Sequence, residues 1–511
     1  MAKQRILLTG ATGAMGLLTL QALLRDSDAL TLSILALPTE QSRQVLKPYL
    51  THPALHIVWG DLTKPADVRQ AVQGAEVILH LGALVSPEAD YAPEKAMAVN
   101  FGGVVNLIEA VRALGQEQTT RFVNIGTVAQ TGDRMPPIHW GRVGDPLKPS
   151  VFDYYAVSKI AAERYVIESG LPYWVSLRQT GIMGPKMAGI QDAIMFHNGL
   201  DNVLEYVSDR DAARLMLHLC QRERRGELGA AFWGHIFNIG GGEACRINTY
   251  ALYGRLFGQL GFSGLQDVMD AKWFATRNFH GQYYLDSDRL NDLLDFRQDS
   301  LPYFDACYQA ALGWQGKLVK AMNRLGGHKA TGHILKARFK QLARTQNGTL
   351  RFVEQGMEGH IAAFWGSRAA WEAIRPLHEY RPFSAWNDVV AMDHGYDETK
   401  TEQSLTLADV QGAARFRGGQ CTSSAMAVGD WRTPLDFQCA FGHSFSATAR
   451  LVLEGGHWCP HCERDSWNYA ERANMDPFFA QVWTPLHPPG EPAWRYPKLV
   501  SDLDVLRHLQ A

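Results

Sequence analysis

The stretch TGATGAMG, which runs from Thr9 to Gly16, constrains the fold of this chain more than any other segment. It follows the apolar run Ile6-Leu7-Leu8, and its three glycines are spaced three residues apart. Glycine adopts the positive φ angles of a tight strand-to-helix turn, and it lets a phosphate approach the free N–H groups of a helix N-terminus. We therefore predict a pyrophosphate cradle; the alternative is a plain bend between a strand and a helix.

Short apolar runs alternate with helical patterns through the first 130 residues. We predict strands over residues 6–10, 30–37, 55–62, 76–83 and 121–127, with helical segments such as 17–25, 67–72 and 93–114 between them. Strands that alternate with helices form βαβ units, whose right-handed crossovers build a parallel sheet with helices on both faces. The predicted fold class is α/β: a doubly wound parallel-sheet Rossmann domain with a small substrate lobe.

A cluster of cysteines near the C-terminus predicts a metal site. Cys439, His443, Cys459 and Cys462 have the spacing C-x3-H-x15-C-x2-C, and glycines beside them allow tight turns. Three thiolates and one imidazole suit tetrahedral zinc in a closed, structural site. The alternative is a set of buried free thiols beside a surface histidine. The neighbouring His457, His461 and Cys421 are expected not to bind the metal.

The length of 511 residues predicts two or three domains. Residues 317–351 contain nine lysines and arginines and no acidic residue, and Gly326-Gly327 interrupts them like a linker. We place a dinucleotide-binding and substrate domain at 1–325 and a basic linker with a mixed helical region at 326–415. A zinc-binding α+β module is placed at 416–511.

Several further motifs resemble those of the extended short-chain dehydrogenase/reductase (NAD-dependent epimerase/dehydratase-like) family. The chain has TGxxGxxG at its start and YxxxK at Tyr155 to Lys159, and Thr127 ends the fifth predicted strand. The other matches are GDL (60–62), HLGA (80–83), VNFGG (99–103), LRQTGIMGP (177–185) and EYVSDRDAA (205–213). They occur in family order over about residues 4–310. The C-terminal cysteines are similar to those of a zinc-ribbon or treble-clef module.

The pair Tyr155 and Lys159 can perform acid/base chemistry. Residues four apart lie on one face of a helix, so the lysine cation is expected to favour the phenolate and lower the pKa of Tyr155. Tyr155 would then act as general acid for reduction and general base for oxidation, and Thr127 would hydrogen-bond the reacting oxygen. The resemblance implies that Lys159 also holds the nicotinamide ribose and that Asn100 completes a proton relay.

The resemblance also implies the residues that hold the cofactor. They are Gly10, Thr12, Gly13, Ala14, Met15, Gly16, Asp61, Leu62, Leu81, Gly82, Ala83, Tyr155 and Lys159. At the end of the second strand an acid would favour NAD and an arginine would favour NADP. The chain has Ala36-Leu37-Pro38 there, although Arg43 or Lys47 can reach a 2′-phosphate. Both cofactors stay open, and NAD is favoured.

The substrate is less constrained. The family often has VYG where this chain has Gln130-Thr131-Gly132, which places a standard sugar-nucleotide substrate in doubt. The aromatic segment 273–290 can line an apolar pocket or pack as a core cluster. Arg246 and Arg277 are the candidate clamps for a diphosphate. We expect an NAD(P)-dependent oxidoreductase acting on a small hydrophobic carbonyl or alcohol. The alternatives are a nucleotide-sugar epimerase or dehydratase with retained NAD, and a cofactor-sensing regulator with a zinc interaction module.

Composition limits the partners. The net charge of −2 and pI of about 6.8 make nucleic-acid binding unlikely, although the basic run 317–351 can meet an acidic surface or RNA. No apolar run has the roughly 20 residues of a membrane helix, so we expect no membrane partner. An odd number of cysteines, seven, indicates reduced thiols and a cytoplasmic protein. The resemblance implies a homodimer through helices 93–114 and 155–169, and the zinc module can bind a protein partner.

Overall fold

The computed structural model describes residues 3–188, 192–464 and 466–498. Its centre is a sheet of seven parallel strands, in the spatial order β7-β6-β5-β4-β1-β2-β3. The strands are β1 (Gln4–Thr9), β2 (Leu30–Ala36), β3 (Leu55–Trp59), β4 (Val77–His80), β5 (Arg121–Thr127), β6 (Trp174–Gln179) and β7 (His235–Ile239). The α/β parallel sheet predicted from the alternating pattern is thereby confirmed.

Helices cover both faces of this sheet, because its strands are apolar on both sides. They are α1 (Ala14–Arg25), α2 (Glu40–Leu46), α3 (Pro65–Val72), α4 (Gly102–Ala113), α5 (Tyr154–Ile167) and α6 (Asp209–Arg224). The cluster that includes Leu20 and Leu215 joins α1 and α6 to one face. The cluster that includes Val68, Leu107 and Val157 joins α3, α4 and α5 to the other. The order of strands reverses between β1 and β4, where such sheets open a crevice for ligands.

A second, smaller lobe follows β6 and β7. Its strands are short pairs: Ile182–Met183 with Val207–Ser208, Val203–Glu205 with Arg246–Asn248, and Trp140–Gly141 with Tyr283–Tyr284. Its helices are α7 (Thr249–Gln259), α8 (Ser287–Leu294), α9 (Leu301–Met322) and α10 (His328–Leu342). Trp273 and Phe274 of the aromatic segment are buried in the core of this lobe. Part of that segment therefore packs as a core cluster, whereas Phe274 to Asn278 also line surface cavities.

The remaining described residues form short helices and a small antiparallel sheet. The helices are Thr349–Glu354, Glu358–Trp365, Arg368–Glu372, Leu407–Phe416, Pro460–Arg464, Tyr469–Met475 and Pro477–Trp483. The strands are β8 (Gln420–Cys421), β9 (Pro434–Gln438) and β10 (Ser444–Thr448). The boundaries at 325 and 415 stay predictions.

This C-terminal part, residues 349–498, packs directly on α5. Trp458, Trp467 and Phe479 share one buried cluster with Val157 and Tyr165. As a result, all of α5 except Tyr155 is buried, although it carries polar residues on several sides. A homodimer through α5 stays a prediction. A second copy that bound α5 on the face covered here would have to displace the C-terminal part.

The described part of the chain contains no helix long and apolar enough to span a lipid bilayer.

The contact between Trp467 and α5 generates a stability prediction. Trp467 is 1 % exposed, and its ring lies 5.3 Å from that of Tyr154. Trp467→Ala should lower the free energy of unfolding by about 3–5 kcal/mol, because it leaves a cavity where the two parts meet. The matched control is Trp314→Ala, at a tryptophan that is 72 % exposed, which should change it by less than about 0.5 kcal/mol. Equal losses in urea denaturation would contradict the packing described here.

Candidate functional site

The glycine turn between β1 and α1 has the geometry of a ligand cradle. Gly10 has a φ of 73°, and a Cβ there would lie 2.6 Å from the backbone nitrogen of Gly82. A Cβ on Gly16 would lie 2.0 Å from the carbonyl oxygen of Gly10. No side chain caps the first turn of α1, which begins after Gly13 and contains no acidic residue. The N–H groups and the positive end of the helix dipole are thus available to an anion.

The loop after β4 closes the other side of the crevice. The Thr9 hydroxyl accepts a hydrogen bond from Gly82 N at 3.0 Å and contacts His80 Nδ1 at 2.9 Å. Burial, reinforced by the charge of Lys159, lowers the pKa of His80 to about 3, so the ring is neutral. Leu62 packs beside Gly82, where an added Cβ would lie 3.0 Å from its side chain. Gly10, Leu62 and Gly82, three of the predicted cofactor residues, therefore lie together at this point of the sheet.

The residues predicted to be catalytic meet at the end of β5 and the start of α5. Thr127 ends β5, and its side chain hydrogen-bonds that of Tyr155. Lys159 lies one turn further along α5 and is 2 % exposed. Its ammonium group forms no hydrogen bond or ion pair with any residue in the described part of the chain. A buried cation without a partner is expensive, so a ligand is expected beside it.

The pKa of Tyr155 differs from the expected direction. Burial raises it to about 12, and the charges of Asp153 and Asp90 add to this, whereas the hydrogen bond from Thr127 lowers it. The pKa of Lys159 falls to about 8, because burial outweighs the attraction of Glu163. In this state Tyr155 keeps its proton at neutral pH, which is the form that a proton donor requires.

Asn100 connects two parts of the site and uses its whole side chain to do so. Its Oδ1 accepts from Leu84 N at 2.7 Å, and its Nδ2 donates to Leu84 O and Ser158 Oγ, both at 2.9 Å. Asn100 thereby fixes the loop after β4 to α5. Its predicted part in a proton relay stays a prediction.

Two carboxylates that the sequence did not single out lie beside Tyr155. Asp90 accepts a hydrogen bond from the backbone N–H of Tyr155 at 3.3 Å, and Asp153 caps the same helix. Burial, with the nearby charge of Asp153, raises the pKa of Asp90 to about 7. His280 lies 3.5 Å from Asp153, measured from Nδ1 to Oδ2. The side of the site that faces Tyr155 is thus acidic.

Glu163, one turn beyond Lys159, is a third carboxylate that the sequence did not identify. Its carboxylate is fully buried and accepts hydrogen bonds from Gln130 Nε2 at 3.0 Å, Ser176 Oγ at 2.8 Å and Arg178 Nη2 at 2.6 Å. Its Oε1 lies 3.1 Å from His457 Nε2. Burial alone would raise the pKa of Glu163, but Arg178 and His457 outweigh it and hold the pKa far below its usual range.

This network also holds the end of β5. Gln130 stands where the expected VYG pattern has valine, and its Oε1 accepts the backbone N–H of Thr127 at 2.8 Å. Arg178 also donates to the carbonyl of Gly455 at 2.6 Å. Glu163, on α5, is therefore connected to Thr127 through Gln130 and to the C-terminal part directly through His457.

The four predicted metal ligands also come together. The sulfur of Cys439 lies 3.8 Å from that of Cys462, and His443 Nδ1 lies 3.5, 3.7 and 3.4 Å from the sulfurs of Cys439, Cys459 and Cys462. A tetrahedral zinc with Zn–S bonds of about 2.3 Å has ligand atoms roughly 3.5–3.8 Å apart. The donor set and its spacing therefore fit zinc. His457 contacts Glu163 and lies outside this group, as expected.

The candidate arginine clamps are occupied by other partners. Arg246 pairs with Glu205 at 2.8 Å and stacks over Trp140. Arg277 pairs with Glu491 and donates to the carbonyl of Ala362 at 2.6 Å. Neither guanidinium is left free to hold a diphosphate.

The Glu163 network generates a prediction. Glu163→Ala should lower the free energy of unfolding by about 3–5 kcal/mol, because it leaves the Arg178 guanidinium buried without its counter-ion. Urea denaturation measures this change. The matched control is Glu354→Ala, which breaks an exposed pair with Arg344 and should have little effect. A loss no larger than that of the control would contradict the role assigned to Glu163.

Comparisons with known proteins agree with this geometry. Residues 6–240 match the model of the NAD dependent epimerase/dehydratase family. A 3-beta-hydroxysteroid dehydrogenase of Mycolicibacterium neoaurum is 27 % identical over 209 residues, which cover 39 % of this chain and 52 % of that protein. A D-erythronate dehydrogenase of Cupriavidus necator is 31 % identical over 139 residues, which cover 26 % of this chain and 41 % of that protein. The matches thus span about half or less of these relatives.

Among solved structures, the dTDP-glucose 4,6-dehydratase DesIV from Streptomyces venezuelae with NAD and TYD bound is similar, with a TM-score of 0.48 and 22 % identity over 61 % of this chain and 98 % of that one. The NAD complex of dTDP-glucose 4,6-dehydratase from Bacillus anthracis has a TM-score of 0.47 and 18 % identity over 61 % and 97 %. The family-model match supports the NAD dependent epimerase/dehydratase family for residues 6–240, which contain the glycine turn and Thr127, Tyr155 and Lys159.

Proposed function

We propose that this chain is an NAD(P)-dependent oxidoreductase that transfers a hydride to or from the carbonyl or hydroxyl carbon of a small, uncharged and largely apolar substrate. The observation that carries the proposal is the meeting of Thr127, Tyr155 and the unpaired Lys159 beside the glycine turn. When bound, the dinucleotide supplies or accepts the hydride. Tyr155 donates a proton to the reacting oxygen in the reductive direction, while Thr127 hydrogen-bonds that oxygen and orients it.

The residues fit a dinucleotide in two independent ways. A side chain at Gly10 or Gly16 would clash with backbone atoms, so only glycine allows the tight turn that leaves the N–H groups of α1 open to a pyrophosphate. The ammonium group of Lys159 lacks an acceptor, which a ribose hydroxyl of the cofactor supplies in our proposal. Lys186, whose Nζ lies 3.5 Å from the carbonyl of Thr12, adds a positive charge beside the proposed pyrophosphate position.

NAD is our proposed cofactor, and NADP is the alternative. The name of the matched family supports NAD. The guanidinium of Arg43 lies 4.8 Å from the ring centre of Trp59 at the end of β3, where it can meet a 2′-phosphate. Arg43→Ala should therefore leave the dissociation constant of NADH unchanged if NAD is the cofactor, and should weaken NADPH binding if NADP is.

The charge of the site supports an uncharged substrate. Asp90 and Asp153 lie beside Tyr155, and both candidate arginine clamps are paired elsewhere. A nucleotide diphosphate would find neither of these guanidinium groups free to pair with its charge, and the nearby Asp153 carboxylate would repel it. Of the two relatives described above, one is named for a steroid, which is an apolar alcohol, and the other for a sugar acid.

The alternatives are an epimerase or dehydratase and a cofactor-sensing regulator. For an epimerase or dehydratase, NAD should stay bound through purification. For a regulator, Tyr155 should be dispensable.

We also propose that Cys439, His443, Cys459 and Cys462 bind one structural zinc, because four protein ligands leave no open position. The zinc would fix the turn that holds His457 and Gly455 against Glu163 and Arg178. Binding of a protein partner to this module, and a homodimer, stay further proposals.

Replacing Tyr155 tests the catalytic proposal. NADH oxidation is first measured against a panel of apolar ketones and aldehydes to find a substrate. Tyr155→Phe should then reduce turnover by about 100-fold to 10,000-fold, because it removes the proton donor, while NADH still binds. The matched control is Tyr154→Phe, which should keep most of the turnover. Full activity in Tyr155→Phe would exclude the proposed role.

Metal analysis tests the zinc proposal. The purified chain should contain one zinc ion, measured by mass spectrometry of the metal, and Cys459→Ser should lose it. The control is Cys421→Ser, at a buried cysteine outside the group, which should keep the metal. A wild-type chain purified in zinc-containing medium without bound zinc would refute this proposal.

A further inference from the structure

The hairpin of residues 314–342 has two apolar sides, of which only one is packed. Helix α9 breaks at Gly313, which has a φ of 56°, and the chain turns again at Gly326, with a φ of 92°. The inner side of the hairpin places Val319, Leu335 and Phe339 against the core of the smaller lobe. The Asn323 side chain fixes this side by donating to the carbonyl of Leu260 at 2.8 Å.

The outer side of the same hairpin exposes large apolar side chains to solvent. Trp314, Leu318 and Met322 are four residues apart and form one helical stripe, and they are 72, 52 and 44 % exposed. Leu325, at the turn, is 89 % exposed, and Ile334 on α10 is 71 % exposed. Single exposed apolar residues are common, but five on one short hairpin mark an interaction surface.

Positive charge surrounds this stripe. Residues 306–353 contain nine lysines and arginines and no aspartate or glutamate, although the whole chain has a net charge of −2. Arg344 pairs with Glu354. Lys336 and Arg351 donate only to uncharged groups, the carbonyl of Gln266 and the side chain of Gln355. Within the described part of the chain, Lys317, Lys320, Arg324, Lys329 and Lys340 have neither an ion pair nor a side-chain hydrogen bond.

We propose that this outer side, defined as Trp314, Leu318, Met322, Leu325 and Ile334 with their neighbouring cations, binds the surface of an anionic lipid membrane. At the surface of such a membrane, apolar side chains enter the boundary of the acyl chains, and lysines and arginines contact the anionic headgroups. The hairpin lies on the surface in this arrangement, so it needs no spanning segment. The expectation of no membrane partner rested only on the absence of such a segment.

Charge and side-chain type favour lipid over the other occupants. A second copy of the chain would bring two surfaces of the same positive charge together, which is repulsive. RNA would satisfy the cations, but it is held by stacking on aromatic rings, and four of the five exposed apolar residues are aliphatic. An anionic membrane satisfies both the charges and the aliphatic side chains.

Sedimentation of the full chain with lipid vesicles tests the proposal. The chain should sediment with vesicles that contain about 30 % phosphatidylglycerol and stay in solution with vesicles of phosphatidylcholine alone. High salt should weaken binding, because it screens the charges. Leu325→Ser combined with Ile334→Ser should weaken binding at least about tenfold, since each side chain loses its apolar burial. Each of Lys317→Gln and Arg324→Gln should weaken it about fivefold.

The control is Val428→Ser, at an apolar residue that is 68 % exposed elsewhere, and it should bind like the wild type. Circular dichroism checks that all variants are folded. Three results would overturn the proposal: no sedimentation with anionic vesicles, sedimentation that the paired serine variant retains, or a concentration-dependent dimer in light scattering that the same variant abolishes. Binding to a single-stranded RNA that Lys317→Gln and Arg324→Gln weaken, without vesicle binding, would overturn the proposal and assign the surface to RNA.

Discussion

The carboxylate of Glu163 is the interaction on which the arrangement of the site depends. It is fully buried, and it meets Gln130 after β5, Arg178 on β6 and His457 of the C-terminal part. A buried carboxylate is stable only when several donors surround it, so each of these segments has to be in place. Arg178 and His457 supply that condition, and together they hold the pKa of Glu163 below its usual range.

This interaction makes the C-terminal part a structural component of the site. The same helix, α5, carries Tyr155 and Lys159 towards the crevice and Glu163 and Arg164 towards the C-terminal part, where Arg164 donates to the carbonyl of Trp458 at 2.6 Å. The proposed zinc ligands Cys459 and Cys462 follow directly after His457 and Trp458. The proposed metal site and helix α5 are therefore connected over a few residues.

Local features were predictable from the sequence, whereas partners distant in the chain were not. The glycine turn, the strand 121–127 and the cysteine group depend on short spacing, and the structure brings the predicted residues together. Glu163 could not be identified, because an acid on a helix is usually solvated and its partner His457 is 294 residues away. The direction of the Tyr155 pKa was missed for a similar reason: burial and Asp90 outweigh the effect expected from Lys159. The sequence leaves Arg246 and Arg277 as candidate clamps, because it does not show that they pair with Glu205 and Glu491.

The central claim is that the crevice beside the glycine turn binds a nicotinamide dinucleotide. Calorimetric titration of the purified full chain with NADH and NADPH tests it most directly, after any nucleotide carried through purification has been removed and identified by mass. We expect one dinucleotide site per chain. Gly16→Val should abolish binding while the protein stays folded, because a Cβ at this position would lie 2.0 Å from the carbonyl oxygen of Gly10. A folded wild-type chain that carries no dinucleotide and binds neither NADH nor NADPH would contradict the account.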